Sequence, residues 1–385
     1  MNKDRSMAMS SAEFQIAAVQ SKKQQKQFVQ FAWEHYRGDP NWVPPLRANQ
    51  LELLNYRRHP FYDNAKIQTF LATRSGRVIG RIAAIVDHGH NTKFKENRGM
   101  FGFFECVDEQ AVSDGLFDAA ITWLREQGMT CARGPNNPSM NYECALLVDG
   151  FDSPPVFMMS YNKPYYGQLI ENFGFTKSQD LYAFWGHMDM LEDSDPKLDF
   201  VVEEAKRRFD MTVRRIDTRN MKREVESFMQ IYNVATMAQW GFVPLSSSEI
   251  QHIAAGLRHL IVPEMTTIIE IDNEPVAAVF GMLDYNPIIK KIDGRLFPFG
   301  FLKILLGRKR IEKVRLVGTY VVPKYQKWGL GLVLMYRVMP DAYAWGIKEG
   351  EFSWVLESNK LSRGTLERGG AELQKTYRMY DLKFD

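Results

Sequence analysis

The 385-residue sequence predicts an α+β protein of two similar domains, each with a mixed, mostly antiparallel sheet flanked by helices. The length exceeds what a single hydrophobic core usually serves, which favours two domains. The two halves also repeat one order of elements, in which helical sequence precedes a β-hairpin. We expect the first domain over residues 12–190 and the second over residues 198–385, with the boundary in the acidic, proline-containing segment Leu191–Lys197.

Each half contains a hairpin signature, which is two runs rich in β-branched residues around a polar turn. The first hairpin combines Ile67–Thr73 with Arg77–Asp87, and the second combines Thr266–Ile271 with Pro275–Asp284. Later in each half, an asparagine precedes a helical stretch. The shared order of elements is the reason for predicting a duplicated layout.

Helical sequence opens each half, because apolar residues share one face in Lys22–Tyr36 and again in Arg223–Met237. Ser246 and Glu249 have the spacing of a capping box, which predicts another helix start at Ser246.

Composition and charge limit the possible functions. The chain has 49 basic and 46 acidic residues, and this balance gives no electrostatic case for a nucleic acid partner. No stretch reaches the ~20 apolar residues of a membrane span, and Met1–Ser11 lacks the apolar core of a secretory signal. Cys106, Cys131 and Cys144 have no spacing typical of a metal or redox site, so we predict no metal and a cytoplasmic location.

The strongest local signal is Val317–Leu334, in which a β-rich run leads through a glycine-containing turn into a helix. The turn has six residues, which are Gln326, Lys327, Trp328, Gly329, Leu330 and Gly331. Free backbone N–H groups and the positive end of the helix dipole would make this turn an anion site. The two glycines would let the backbone approach a pyrophosphate closely. Such a hexapeptide also arises by chance, so a plain glycine-rich turn stays open on these residues alone.

The wider context resembles the GNAT acyltransferase superfamily. Its members have a strand ending near V-x-P, a Q/R-x-x-G-x-G/A loop and a helix, which here correspond to Val321–Pro323 and Gln326–Gly331. They continue with a strand, an asparagine and a glycine, which here correspond to Phe352–Glu357, Asn359 and Gly370. The resemblance covers the C-terminal half well and the N-terminal half in outline, and it implies two tandem GNAT-like domains.

The resemblance implies an N-acyltransferase that uses acetyl-CoA or a longer acyl-CoA as co-substrate. Backbone N–H groups of Lys327–Gly331 would hold the CoA pyrophosphate. The strand edge at Val321 and Val322 would pair with the pantetheine arm, and Asn359 would help to anchor it. A backbone N–H near Val321 or Val322 would stabilise the tetrahedral oxyanion.

The N-terminal half lacks the glycine loop. After the strand Met100–Val107, carboxylates at Asp108, Glu109 and Asp114 stand where the loop would be, and they would repel a pyrophosphate. We therefore expect this degenerate domain to shape the substrate cleft without binding CoA. Its polar loop Asn136–Glu143 is a candidate for lining the acceptor pocket, although long polar loops are often only surface.

The catalytic groups are less well defined. Many GNAT members carry a Glu on the strand before the loop and a Tyr seven residues after the Asn, but Arg315 and Leu366 occupy these positions here. We predict Glu357 as the base because it ends a strand just before the asparagine, and Tyr320 as a second catalytic candidate. A solvated strand-end carboxylate and a packing tyrosine are the alternatives.

The insertion Tyr285–Lys313 bears on the acceptor. It contains the apolar run Leu296–Gly307 with lysines and arginines on both sides, a pattern typical of an interfacial membrane segment. A helix that packs on its own sheet with a basic outer face would give the same pattern. Peripheral contact with the inner membrane face through residues 296–310 would favour a lipidic amine as substrate.

A second resemblance points the same way. Asp39–Leu46, Gly80–Ile85 and Phe101–Glu105 resemble segments of two-domain bacterial GNAT proteins, a group similar to bacterial ceramide synthases, which acylate a sphingoid base. Two other functions stay open, namely an aminoacyl-tRNA-dependent tandem GNAT transferase and a non-catalytic acyl-CoA-binding protein.

Overall fold

A computed structural model describes residues 13–191 and 196–384 of the chain. Met1–Ser11 and most of the predicted boundary segment, residues 192–195, lie outside the described residues. The described ranges contain fifteen strands and twelve α-helices. The strands are β1 (Gln15–Ala18), β2 (Ala65–Arg74), β3 (Arg77–Asp87), β4 (Arg98–Cys106), β5 (Cys131–Gly134), β6 (Asn136–Asn137), β7 (Glu143–Cys144), β8 (Leu146–Asp149), β9 (Thr176–His187), β10 (Met211–Arg215), β11 (Thr266–Ile271), β12 (Glu274–Leu283), β13 (Lys313–Val321), β14 (Glu349–Leu356) and β15 (Glu372–Lys383). The helices are α1 (Lys22–His35), α2 (Arg47–Leu53), α3 (His88–Phe94), α4 (Gln110–Glu126), α5 (Tyr166–Asn172), α6 (Pro196–Arg208), α7 (Met221–Thr236), α8 (Ser247–Leu257), α9 (Asn286–Lys291), α10 (Gly300–Gly307), α11 (Leu330–Trp345) and α12 (Lys360–Arg368).

The local patterns in the sequence account for most of these elements. Both predicted hairpins form, as β2 with β3 and as β11 with β12. The predicted helices form as α1 and α7, and α8 starts at the capping box of Ser246 and Glu249. The Ser246 hydroxyl accepts from the Glu249 N–H while the Glu249 carboxylate accepts from the Ser246 N–H, so two otherwise unpaired donors are satisfied.

Twelve strands follow one another in a single sheet, in the order β1-β2-β3-β4-β5-β15-β9-β14-β13-β12-β11-β10, and β8 pairs with β15 beside this path. Most neighbours are antiparallel, but β4 pairs with β5 and β13 pairs with β14 in parallel. Helices cover both faces of the sheet. Since successive residues of a strand point to opposite sides, each strand contributes side chains to the cores on both faces. On β3, Ile82 and Ala84 face the core under α4, whereas Ala83 and Ile85 face the core under α1. The predicted α+β class with a mixed, mostly antiparallel sheet is confirmed.

The last strand of each half closes the sheet of the other half. Strand β15, from the C-terminal end of the chain, lies between β5 and β9, and β9 in turn pairs with β14. This exchange leaves no sheet edge at the junction, where two separate sheets would each present unpaired N–H and C=O groups. The division into residues 12–190 and 198–385 therefore stays a prediction, and the hydrogen bonding of the sheet crosses it in both directions.

Candidate functional site

Strands β13 and β14 begin side by side and then separate. They pair in parallel over only four residues each, Lys313–Leu316 with Glu349–Phe352. Beyond that point β13 stays paired with β12 and β14 stays paired with β9, so a cleft opens between them. The register with β12 skips Val317, and this bulge bends β13 where the separation starts. The cleft thus exposes one edge of β13 from Val317 to Val321.

The end of β13 offers one backbone donor to this cleft. The Val322 N–H is bound to the Val276 carbonyl at 3.0 Å, on the side of β12. Because successive N–H groups of a strand point to opposite sides, the Val321 N–H faces the open edge. Of the two oxyanion donors predicted from the sequence, Val321 is therefore the available one.

The predicted anion loop forms between β13 and α11. Gly329 has φ of 76° and stands just before the first residue of the 16-residue helix α11. The N–H groups of Lys327, Gly329, Leu330 and Gly331 donate no hydrogen bond to any described residue. The Trp328 N–H, which was also predicted to hold the pyrophosphate, instead donates to the Tyr325 carbonyl at 3.1 Å. The Gln326 side chain donates to the Val321 carbonyl at 3.0 Å and ties the loop to the end of the strand. Four free donors at the positive end of a helix are an arrangement that favours an anion, and the pyrophosphate site stays a prediction.

Glycine is present at the two loop positions for different structural reasons. Gly329 has the left-handed backbone that favours glycine, and a Cβ there would collide with Val201 of α6. A Cβ on Gly331 would meet only Thr319 Cγ2, at the ordinary distance of 3.4 Å. Gly329 is thus needed for the shape of the loop, and Gly331 keeps its surface open. Beside them, the exposed ring of Trp328 lies 3.7 Å from the Arg208 guanidinium.

Tyr320 lies on the part of β13 that borders the cleft. Its ring centroid is 5.0 Å from that of Tyr232 and 5.6 Å from that of Phe228, both on α7. Its hydroxyl makes no hydrogen bond within the described ranges, and burial raises the pKa of Tyr320 to about 12. The hydroxyl therefore carries its proton at neutral pH and is able to donate it.

A buried polar cluster lies where the strands separate. Arg315, at the position of the family glutamate, is buried and stands opposite Glu351 in the last paired part of the strands. Its guanidinium donates to Ser353 Oγ at 3.0 Å and to the Met158 carbonyl at 2.9 Å, and Ser353 Oγ donates to Glu351 Oε1 at 2.8 Å. Burial lowers the pKa of Arg315 and raises that of Glu351. Since Met158 belongs to the N-terminal half, this arginine joins the two halves.

The loop that the N-terminal half contributes reaches the C-terminal half directly. The Asn137 carboxamide accepts from the Phe103 N–H at 2.6 Å, which fixes the start of the loop on β4. At its far side, Asn141 donates to the Val243 carbonyl at 2.9 Å and accepts from the Tyr232 hydroxyl at 3.0 Å. The loop predicted to line an acceptor pocket is therefore linked, through Tyr232, to the tyrosine beside the cleft.

Glu143 ends this loop with an unpartnered carboxyl group. The side chain is partly buried and makes no hydrogen bond or ion pair with any described residue. Burial raises the pKa of Glu143 to about 7, against the opposing effect of the Arg315 charge. A carboxylate in this state accepts a proton at neutral pH. The sequence placed Glu143 in a candidate pocket loop but gave no reason to single it out, since the Arg315 charge that acts on it lies in the other half.

Comparison with known proteins gives relatives over nearly the whole chain. Protein YghO of Escherichia coli is 35% identical over 364 residues, which is 92% of each chain. The bacterial ceramide synthase of Caulobacter vibrioides is 34% identical over 385 residues, covering 96% of this chain and 98% of that protein. A tandem GNAT protein from the clavulanic acid biosynthesis pathway has a TM-score of 0.57 and 10% identity, over 96% of this chain and 98% of that one. A GCN5-related N-acetyltransferase from Sphaerobacter thermophilus has a TM-score of 0.53 and 11% identity, over 96% and 95%.

This chain belongs to the same family as protein YghO and the bacterial ceramide synthase, and its fold is that of the tandem GNAT proteins. No protein-family model matches it. The resemblance predicted from Gln326–Gly331 and its context is confirmed.

Two predicted residues of this GNAT protein have clear structural roles. Asn359 begins α12, where its side-chain oxygen accepts from the Ser362 N–H at 3.1 Å. Its NH₂ group donates to no described residue and remains able to bind a ligand. The exposed carboxylate of Glu357 lies 2.9 Å from the Lys177 ammonium, in an ion pair on the side of β9. This arrangement is compatible with the alternative of a solvated strand-end carboxylate, and the role of Glu357 as base stays a prediction.

Neither a membrane-spanning helix nor a metal cluster is found in residues 13–191 and 196–384. None of the helices there combines the length and apolar content needed to cross a membrane. No group of three or more His, Cys, Asp and Glu side chains in these ranges is placed to hold a metal ion. All three cysteines are free thiols.

Proposed function

We propose that this protein is an acyl-CoA-dependent N-acyltransferase that transfers an acyl group from acetyl-CoA or a longer acyl-CoA to a lipidic amine such as a sphingoid base. The observation that carries the proposal is the row of four free amides at the start of α11, directly beside the cleft between β13 and β14. A pyrophosphate matches such a row of donors. The open edge of β13 then supplies a strand-like partner for the amide groups of the pantetheine arm.

The proposal includes a chemical step. The thioester carbonyl would lie near the Val321 N–H, which faces the open edge and would stabilise the oxyanion, a contribution of about 10²–10³ in rate for one donor. The amine nitrogen attacks the carbonyl carbon, and its proton passes to the Glu143 carboxylate. The C–S bond then breaks, and the leaving thiolate takes a proton from the Tyr320 hydroxyl. At neutral pH the Tyr320 hydroxyl carries its proton, whereas Glu143, with its pKa near 7, is about half ionised and becomes fully able to accept a proton as the pH rises.

The lipid class of the acceptor is supported by similarity and by surface. The relative from Caulobacter vibrioides is a bacterial ceramide synthase, and it is 34% identical over 96% of this chain. In addition, the insertion between β12 and β13 exposes a group of apolar side chains, among them Phe297 and Leu306. Together they favour a hydrophobic amine over a small polar one.

Calorimetric titration with acetyl-CoA and palmitoyl-CoA tests the cofactor site, with Gly331→Asp as the decisive variant. The aspartate would lie in the first turn of α11, where a carboxylate is compatible with the helix but repels a pyrophosphate. Gly331→Ala is the matched control, because its Cβ has room beside Thr319. We expect saturable binding to the native protein and to Gly331→Ala, and binding at least about tenfold weaker in Gly331→Asp.

The outcomes separate the proposal from its alternatives. Absence of binding by either thioester refutes acyl-CoA dependence, and transfer from an aminoacyl-tRNA would then support the tRNA-dependent function. Binding without transfer to any amine of a panel that includes sphingoid bases would support a non-catalytic acyl-CoA-binding protein. The preferred chain length distinguishes acetyl from long-chain transfer.

A further inference from the structure

Residues 296–310 form a surface that is both apolar and basic, which we call the 296–310 face. Thirteen large apolar side chains are exposed in the described part of the chain, and five of them lie on this face in a span of ten residues. They are Phe297, Phe299, Phe301, Leu302 and Leu306. Phe297 is 87% exposed and Leu306 is 80% exposed, so neither is covered by the rest of the protein. Such a concentration marks an interaction site.

The face is held firmly from below. Ile304 of α10 is buried in the core that also contains Ile289 and Ile292. Just before the face, the Asp293 carboxylate accepts from Trp33 Nε1 at 2.9 Å and pairs with the Arg47 guanidinium at 2.8 Å. These contacts join the insertion to the N-terminal half. The exposed side chains therefore project from a fixed base, and the face needs no rearrangement to present them.

Positive charge surrounds the apolar side chains. From position 294 to position 311 the sequence has five cations and no Asp or Glu, a local charge of +5. The cations are Arg295, Lys303, Arg308, Lys309 and Arg310. Arg295 lies 3.4 Å from Asp293, and Lys309 lies over the ring of Trp345. The other three make no ion pair with a described residue, so most of the charge is available to a partner.

These features favour one occupant. A second copy of the chain docking on the same face would bring two clusters of +5 together, since a two-fold contact pairs a patch with itself. An anionic lipid surface instead takes up the apolar side chains in its acyl region and pairs the cations with its headgroups. We propose that the 296–310 face docks this protein on the surface of an anionic membrane. This goes beyond the proposed transfer reaction and does not depend on it.

The arrangement of the face fits shallow insertion. Phe297 and Phe299 stand before α10, and Leu302 and Leu306 lie on one face of the helix because they are four residues apart. Ile304 points to the core, so the helix lies along the protein surface with an outer apolar side. A short helix in this position inserts side chains into the interface without crossing the bilayer.

Vesicle co-sedimentation tests the proposal with the full-length protein and needs no catalytic turnover. The vesicles contain phosphatidylcholine alone or with roughly 30% phosphatidylglycerol. The test variants are Phe297→Ser with Phe299→Ser, and Arg308→Gln with Arg310→Gln. The matched control is Phe200→Ser on α6, since Phe200 is 67% exposed and Phe299 is 66% exposed. All five side chains lie at the surface, so we expect these variants to fold.

We expect the native protein and Phe200→Ser to sediment with the anionic vesicles and to be released by about 1 M salt, where the Debye length is about 3 Å. Each double variant should bind at least about tenfold more weakly. The proposal is overturned if the double variants bind like the native protein, or if Phe200→Ser loses binding equally. It is also overturned if the face instead supports a dimer, seen by ultracentrifugation as association that Phe297→Ser with Phe299→Ser abolishes. Failure here leaves the calorimetric test of acyl-CoA binding unaffected.

Discussion

Replacing Glu143 by glutamine removes a partly buried carboxylate while keeping its size and shape. Burial raises the pKa of Glu143 from an ordinary 4.5 to about 7, so the folded protein holds this proton more tightly than the unfolded chain does. Below about pH 4.5 the carboxyl group is protonated in both states. Between about pH 4.5 and about pH 7 the unfolded chain gives up its proton first, and the stability that this group contributes is lost as the pH rises.

The size of the effect follows from the pKa difference. A tenfold change in proton affinity is worth about 1.4 kcal/mol, so the gap between 4.5 and about 7 has an upper limit of about 3 kcal/mol. Water reaches part of the side chain and screens its charge, which reduces the expected value to about 1–3 kcal/mol. The free energy of unfolding of Glu143→Gln minus that of the native protein should therefore rise by about 1–3 kcal/mol as the pH is raised from about 4.5 to about 8.

Urea denaturation across this pH range measures the difference between variant and native protein. Other buried carboxyl groups, such as Asp284 with its pKa raised to about 6, contribute equally to both proteins and cancel. In the transfer reaction, kcat of the native enzyme should rise through about pH 7, and Glu143→Gln should lose that rise together with about 10²–10⁴ in rate. A free-energy difference that stays constant from about pH 4.5 to about pH 8 would refute burial of the charge. An unchanged kcat would refute the role as base.

Two further substitutions test the loop and the other carboxylate. Gly329→Ala should lower the free energy of unfolding by about 2 kcal/mol in urea, because alanine is strained at positive φ and its Cβ meets Val201, whereas Gly331→Ala in the same helix should stay within about 1 kcal/mol. Equal effects of the two alanines would contradict this account of the loop. Glu357→Gln should change stability by less than about 1 kcal/mol and kcat by less than about twofold, because its ion pair with Lys177 is exposed. A loss of kcat above about tenfold would identify Glu357 as the base.

Local patterns in the sequence predicted the elements that local interactions form. The hairpin of β2 and β3 and the start of α8 depend on residues within a few positions of one another, so the local sequence is sufficient to predict them. The anion loop is also local, because the strand, the glycine turn and the helix are contiguous. The sequence did not predict that a side chain is excluded at Gly329 but has room at Gly331, since Val201 approaches Gly329 from a separate helix.

The parts that were missed depend on long-range contacts. Arg315 was recognised from the sequence only as a departure from the family glutamate, while its partner Met158 lies in the other half of the chain. Glu143 likewise feels the charge of Arg315, which lies in the other half of the chain. The exchange of β9 and β15 could not be predicted from the sequence either, because a strand has the same alternation of apolar and polar residues whichever sheet it joins.

The strand exchange is consistent with the proposed reaction, in which the N-terminal half has no CoA loop but contributes to the site. With β15 bound between β5 and β9, the C-terminal half cannot complete its sheet alone, and β14 keeps its outer neighbour only through β9 of the N-terminal half. The cleft between β13 and β14 therefore has a fixed shape only when both halves are present. Asn141 ties the loop that ends at Glu143 to Val243 of the C-terminal half, and the charge of Arg315, where the cleft begins, acts on the Glu143 carboxyl group. In the proposed reaction the N-terminal half therefore supplies, through Glu143, the carboxylate that is replaced by Arg315 at the family position in the C-terminal half.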